Sequence, residues 1–86
     1  MIKIWIKTLK DNKIVKQAVL KNDEKFDYAD FHTYVYEACR LIDEPSPVIV
    51  KTHIFNYAKF NHVKFFPDDF VEEVSFDKMI LENINR

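Results

Sequence analysis

The chain has 86 residues, with 13 Lys and Arg, 14 Asp and Glu, and no glycine. Without glycine it lacks the phosphate-binding loops, dinucleotide fingerprints and nucleophile elbows that many enzymes build from glycine. A net charge of −1 does not favour nucleic acid or an anionic membrane as a partner, although a local basic patch is compatible with it. The length predicts a single domain over residues 1–86.

Neither export nor a membrane span is predicted. The single cysteine, Cys39, cannot form an intrachain disulfide, which excludes the disulfide-stapled secreted class. Lysines interrupt the apolar residues at the N-terminus too often for a signal peptide, and no apolar run approaches the roughly 18 residues of a membrane span. We therefore expect a cytoplasmic protein without a membrane partner.

The first predicted element is a β-hairpin. Isoleucines alternate with Lys3, Trp5 and Lys7, and Asp11-Asn12 supplies a two-residue turn because both residues tolerate positive φ. A regular ladder from this turn places the following residues on one face: Ile2, Ile4, Ile6, Val15 and Val19. It places these on the other: Trp5, Leu9, Ile14, Ala18 and Leu20. A single helix covers only one face, so the C-terminal third or another subunit is expected on the second.

Residues 26–43 are predicted to form one long amphipathic helix. Asp27 fits the N-cap, and Glu44-Pro45 ends the helix because a residue before proline avoids helical backbone angles. Asp43 and Glu44 lie at the negative end of the helix dipole, which predicts a basic partner among the hairpin lysines. The apolar stripe that would face the sheet consists of Tyr28, Phe31, Val35, Ala38 and Ile42, flanked by Tyr34 and Leu41.

The second half is predicted to hold short elements. Val48 to Val50 is typical of a short buried strand, residues 52–60 favour a short helix or an irregular turn, and residues 62–66 alternate as a strand. Pro67 begins a helical turn, and residues 76–84 favour a strand over a helix. The fold class is therefore α+β: an N-terminal β-hairpin, one long amphipathic helix, then two or three short strands with a small helix, in an antiparallel or mixed sheet.

A family resemblance covers roughly the second half of the chain. Its residues are Asp43-Glu44-Pro45-Ser46-Pro47-Val48, Phe60, Phe65, Asp69-Phe70-Val71-Glu72, Val74 and Phe76-Asp77. In these the chain resembles short uncharacterised proteins of low-GC Gram-positive bacteria. That family has no assigned activity, so the resemblance implies no site residue.

Two groups of side chains could carry catalytic or metal chemistry. His32, Tyr36 and Cys39 recur at helical spacing, and a cysteine beside a histidine is the raw material of nucleophilic catalysis. However, a dyad on one helix lacks an orienting group and an oxyanion hole. The second group could supply metal ligands but matches no metal signature: His53, His62, Asp68 and Asp69. We predict no catalytic, cofactor or metal residue.

The sequence favours a small non-catalytic interaction protein that self-associates. The hairpin lysines would favour an acidic surface, which the net charge of −4 over residues 67–86 provides. We expect a homodimer that buries Trp5 with Leu9 or Leu20 against that segment of its mate.

Two alternatives belong to other functional classes. A single-stranded nucleic-acid binder would hold a strand with lysines and aromatic rings together: Lys51, Phe55, Tyr57, Lys59 and Lys64. A minor metal- or thiol-dependent enzyme is the second alternative. Clustering of the three lysines with exposed aromatics would favour the first, and convergence of His53, His62 and an acid would favour the metal site.

Overall fold

The computed structural model describes residues 1–85, which form a four-stranded antiparallel sheet with two helices on one of its faces. The strands are β1 (Ile2–Lys10), β2 (Lys13–Asn22), β3 (His62–Phe65) and β4 (Lys78–Asn83), and the helices are α1 (Phe31–Leu41) and α2 (Lys51–Phe60). The sheet order is β2-β1-β4-β3. The α+β class is confirmed, and the sheet is antiparallel. Arg86, the last residue of the predicted acidic segment 67–86, lies outside the described residues.

The predicted hairpin is confirmed, including its turn. Asp11 and Asn12 have φ angles of 53° and 64°, the left-handed values that a two-residue hairpin turn needs. Next to the turn, Leu9 pairs with Ile14 and Lys10 with Lys13, as the sequence predicts. Without a glycine, the chain uses Asp and Asn at this left-handed turn because their short polar side chains tolerate it.

Beyond the turn, the predicted hairpin register is wrong by one residue. A β-bulge between Thr8 and Leu9 leaves Val15 without a partner in the ladder, so that Ile4 pairs with Leu20 and Ile6 with Ala18. Because side chains alternate between faces, a slip of one residue moves every later side chain to the other face. Ala18 and Leu20 therefore share the face of the isoleucines, whereas Val19 shares the face of Trp5.

The predicted long helix is shorter than expected. A 3-10 turn over Tyr28–Asp30 precedes α1, and the carboxylate of Asp27 caps this turn by accepting a hydrogen bond from the Ala29 N–H at 2.9 Å. The chain leaves the helix through Asp43, whose φ angle is 55°. The expected basic partner is present, because Lys16 Nζ lies 3.1 Å from Glu44 Oε2.

The apolar stripe of α1 packs on the sheet as predicted in its central part. Phe31, Val35 and Ala38 are fully buried, and Ile42 is buried just after the helix. Tyr34 is buried as well, whereas Tyr28 and Leu41 are exposed. The exposure of Tyr28 follows from the 3-10 turn, which changes the angle between successive side chains before α1 begins.

The predicted strand at Val48 to Val50 does not form. The Val48 N–H donates to the carbonyl of Asp69 at 2.7 Å, and the Val50 N–H donates to Nδ1 of His53 at 3.0 Å. These donors fix the loop and the start of α2, so they are not available to a sheet ladder. Val48 and Val50 are also exposed, contrary to the prediction.

The remaining elements of the second half follow the prediction. Residues 51–60 form α2, residues 62–65 form β3, Pro67–Asp69 form a 3-10 turn, and residues 78–83 form β4. β4 pairs with the free edge of β1 on one side and with β3 on the other. The C-terminal third therefore extends the sheet beside the hairpin.

One core lies between the sheet and the helices. Ile2, Ile4 and Ile6 from β1 are at most 1% exposed, as are Met79 and Leu81 from β4. They pack with the buried side of α1, with Tyr57 of α2, and with Phe70 and Phe76 from the segment between β3 and β4. All four strands thus contribute apolar side chains to the covered face of the sheet.

Candidate functional site

The opposite face of the sheet is the candidate site. The burial of β1 alternates strictly from Ile2 to Leu9, with each even position buried and each odd position only partly buried. Among residues 1–85, the side chains that cover the sheet belong to the core on the isoleucine side. We call the other side the open face, and the register assigns it Lys3, Trp5, Lys7, Leu9, Ile14, Gln17, Val19, Lys21, His62, Lys64, Lys78, Ile80 and Glu82.

The charge of the open face is one-sided. Five lysines occupy its strand positions, and Glu82 is the only acidic residue among those positions. The other thirteen of the 14 acidic residues lie elsewhere in the chain. A chain with a net charge of −1 therefore presents a basic sheet surface. The lysines come from all four strands: Lys3, Lys7, Lys21, Lys64 and Lys78.

Trp5 lies on the open face, and its contacts fix the indole ring. Its Nε1 donates a hydrogen bond to Gln17 Oε1 on β2 at 3.0 Å. The ammonium of Lys7 lies 3.6 Å from the ring centroid, a cation–π contact. The same ammonium is 4.0 Å from Glu82 Oε1. These contacts hold the ring among positive charges and leave it only partly buried.

Lys3 and Lys21 face each other directly across β1 and β2 on the open face. Like charges at directly opposed positions of an antiparallel pair destabilise a sheet. No acidic open-face residue is paired with either lysine in the register. A negatively charged group bound between them would relieve this repulsion.

A cleft continues the open face at the β3 edge of the sheet. It has a volume of about 300 Å³ and is lined by Asn56, Phe60, His62, Val63, Lys64 and Phe66. Phe60 and Phe66 are about half exposed. The His62 Nδ1–H donates a hydrogen bond to the carbonyl of Phe60 at 3.1 Å. Aromatic and basic side chains therefore border the open face at this edge.

The predicted interface residues are divided between the two faces. Trp5 and Leu9 lie on the open face, whereas Leu20 lies on the covered face and packs against the core. The β-bulge produces this division. The sequence predicts only that the hairpin lysines favour an acidic surface and that Lys64 contacts nucleic acid. Their grouping on one face depends on the pairing of β4 with β1 and of β3 with β4.

The residues predicted for nucleic-acid contact are also divided. Tyr57 is buried in the core, while Phe55 is exposed on α2, the helix that carries Lys51 and Lys59. Lys64 lies on the open face of β3, away from the helix layer. The three lysines therefore do not form one cluster. Lys59 approaches the cleft instead, with its ammonium 5.4 Å from the ring centroid of Phe60.

Cys39 is enclosed in the core. Its Sγ donates to Met79 Sδ at 3.7 Å, while His32 and Tyr36 are exposed on the surface of α1. Burial, together with the nearby negative charge of Glu44, raises the pKa of the Cys39 thiol to about 12. A thiol in this environment is protonated at neutral pH and is not a nucleophile.

The histidines considered as metal ligands have structural contacts. His53 accepts the Val50 N–H at Nδ1, and its Nε2 lies 3.8 Å from Asp69 Oδ1. His62 lies on the open face, so the two histidines belong to different layers. Asp69 also accepts the Phe66 N–H at 2.8 Å. Within residues 1–85, no three His, Cys, Asp or Glu side chains are close enough together to hold a metal ion.

Neither α1 nor α2 is long and apolar enough to cross a membrane, and residues 1–85 contain no other helix that is. No family model matches the chain, and neither a curated protein nor a solved structure matches it. The resemblance carried by residues 43–77 therefore stays a prediction, and the open face is the feature from which function must be argued.

Proposed function

We propose that the protein is a small cytoplasmic, non-catalytic binding domain whose open face holds a negatively charged partner. The observation that carries this proposal is the charge of that face, with five lysines and one acid at its strand positions. Complementary charge guides association and excludes partners of the wrong sign. The opposed pair of Lys3 and Lys21 adds support, because an anion bound between them would relieve their repulsion.

The same charges bear on self-association. A symmetric dimer through the open face would bring two sets of five lysines together, which like-charge repulsion opposes. The acidic segment after β3 is anchored by Phe70 and Phe76 in the core on the covered side. A contact between the open face and this segment would join opposite sides of two copies, which generates rings or open chains rather than a two-fold symmetric dimer. These arguments favour a separate anionic partner.

Heparin provides a test, because it is a flexible polyanion without bases or lipid. We expect the full chain to be retained on immobilised heparin at low salt and neutral pH. A variant with Lys3→Gln, Lys21→Gln and Lys64→Gln should lose retention. A matched variant with Lys10→Gln, Lys13→Gln and Lys51→Gln changes the net charge equally, but its lysines lie outside the open face and away from the cleft. It should remain bound.

Folding of both variants is checked by circular dichroism before the comparison. Failure of the unaltered chain to bind heparin would contradict the proposal. Equal loss of retention in the two variants would contradict it too, because binding would then follow net charge and not the open face.

A further inference from the structure

We infer that the anionic partner of the open face is single-stranded nucleic acid, with Trp5 as the stacking platform for a base and the surrounding lysines as the phosphate contacts. This inference rests on the function proposed above and identifies the chemistry of its partner. A sheet face that combines one aromatic ring with a field of cations is a common way to hold an unpaired strand. Trp5 is the reason to choose nucleic acid as the partner, because lysines alone would bind any polyanion.

The surroundings of Trp5 fit this role. The hydrogen bond from its Nε1 to Gln17 orients the ring, so a base meets a platform that is already fixed. The Lys7 ammonium lies over the ring and is within reach of Glu82 as well. When a base stacks on the indole, this ammonium can move to the adjacent phosphate and exchange a cation–π contact for an ion pair.

The positions of the cations define a path across the sheet. Neighbouring strands are about 4.8 Å apart, so the four strands span about 14 Å between their axes. The path runs from Lys3 and Lys21 past Trp5 to Lys64 at the β3 edge. There it reaches the cleft, where the half-exposed rings of Phe60 and Phe66 offer further apolar contact. A flexible single strand can follow such a path, whereas base pairing hides the flat surfaces of bases in a duplex.

Other anionic partners fit the open face less well. An acidic peptide would satisfy the lysines but has no use for an oriented indole. An anionic membrane favours projecting apolar side chains, and the most exposed of these are Val71 at 90% and Phe55 at 69%, neither at an open-face position. The observations therefore favour a strand with both phosphates and bases.

The cations also set the expected specificity. All five open-face cations are lysines, which act as point charges and lack the planar fork with which arginine reads guanine. We therefore expect little preference among base sequences and a strong dependence on salt. If all five lysines contact phosphates, the logarithm of the association constant should fall with the logarithm of the salt concentration with a slope of about −3.5.

The protein carries its own reporter, because Trp5 is its only tryptophan. We would titrate the full chain with oligodeoxythymidine and oligouridine of about 12 nucleotides and follow indole fluorescence. Stacking of a base on Trp5 should quench it. An abasic oligonucleotide of the same length supplies phosphates without bases. It should bind about 5- to 150-fold more weakly and leave the fluorescence unquenched.

Variants separate stacking from charge. Trp5→Ala should weaken oligothymidine binding about 5- to 150-fold without changing heparin retention, while Trp5→Phe should restore most of the affinity and show that folding is intact. Phe55→Ala is the matched control, because Phe55 is an exposed ring on the lysine-bearing helix α2. It should bind like the unaltered chain. Lys64→Gln should make the salt slope shallower by about 0.7.

The outcomes distinguish the inference from the function on which it rests. Loss of both heparin and oligonucleotide binding would contradict both. Heparin retention with equal affinity for the oligothymidine and its abasic counterpart, and no quenching, would overturn the nucleic-acid inference alone. Tighter binding to phosphatidylserine vesicles or polyglutamate than to the oligonucleotides would also overturn it, in favour of a lipid or protein partner.

Discussion

The two faces of the sheet share the same strands and yet follow opposite rules. On the covered face, Ile4 and Ile6 are 1% and 0% exposed and pack beneath α1 and the C-terminal segment. On the open face, Lys3, Trp5 and Lys7 occupy the alternate positions of the same strand and stay partly exposed. The covered face consists of closely packed apolar side chains. The open face carries lysines around the indole ring of Trp5. The first face supplies the apolar core, and the second is the face to which we propose to assign binding.

The contrast is sharpest in β1, one of the two inner strands of the sheet. Its inner place allows its isoleucines to be almost completely buried, and it gives Trp5 partners on β2 and β4. Lys3 faces Lys21 on the open face, and this pairing destabilises the sheet, as does the pairing of Lys10 with Lys13 beside the turn. On the open face, the proposed binding of an anion would offset that cost.

The largest effect is expected from the covered face. Phe31 is fully buried at the start of α1, so Phe31→Ala should lower the free energy of unfolding by about 3–5 kcal/mol. Urea denaturation followed by circular dichroism measures the change. Phe55→Ala, at a ring that is 69% exposed, is the control and should change stability by less than about 0.5 kcal/mol. A loss below about 1 kcal/mol for Phe31→Ala would mean that the helix packs differently.

A second effect tests how well the covered side excludes water. Burial raises the pKa of the Cys39 thiol from 9.0 to about 12. Below pH 9 the thiol is protonated in both states. Between pH 9 and about pH 12, the unfolded chain releases the thiol proton while the folded chain keeps it. The free energy of unfolding should therefore fall by up to about 1.4 kcal/mol per pH unit in this range. Urea denaturation at a series of alkaline pH values measures this slope.

Cys39→Ala provides the comparison for the alkaline slope. Burial also raises the pKa of the Tyr57 hydroxyl above 10.0, with a smaller contribution from Tyr28. In the variant, the loss of stability should therefore begin about one pH unit higher, where the unfolded tyrosine starts to ionise. An unchanged slope between pH 9 and pH 10 would mean that Cys39 is accessible to water in the folded protein.

The smallest effect on stability is expected from the open face, where one substitution should raise the unfolding free energy but weaken binding. Lys21→Glu replaces the like-charged pair with Lys3 by an attractive one, which should raise the unfolding free energy by about 0.2–1 kcal/mol. The same change should reduce heparin retention. Lys13→Glu is the matched control, because Lys13 faces Lys10 beside the turn. It should change stability similarly but not retention. Equal loss of retention in both variants would remove the distinction between the two faces.

Much of the fold could be predicted because its signals are local. The Asp11-Asn12 turn, the buried stripe from Phe31 to Ala38 and the two C-terminal strands all follow from spacing and turn chemistry. Val48 to Val50 could not be assigned correctly, because apolar composition does not reveal that its N–H groups are bonded to Asp69 and His53. The conformation of this segment is set by its hydrogen bonds to the Asp69 carbonyl and to a ring nitrogen of His53.

The open face could be predicted only in part. The alternation in β1 placed Trp5 and Leu9 together, and both lie on that face. Leu20 was assigned to it wrongly because a bulge leaves no clear mark in the sequence. The grouping of Lys64 and Lys78 with the hairpin lysines depends on the strand order β2-β1-β4-β3, which arises from pairing between distant segments.

The bulge also governs which changes in length the hairpin can accept. Val15 is an extra residue between the turn and Gln17. Removal of one residue there makes the ladder regular and leaves Ala18 and Leu20 directed inward. Addition of one residue exchanges the inner and outer side chains unless a second irregularity forms. The hairpin therefore tolerates the loss of one residue near the turn, because each side chain stays on its face of the sheet. It does not tolerate the gain of one residue in the same way, because the side chains of β2 then change faces.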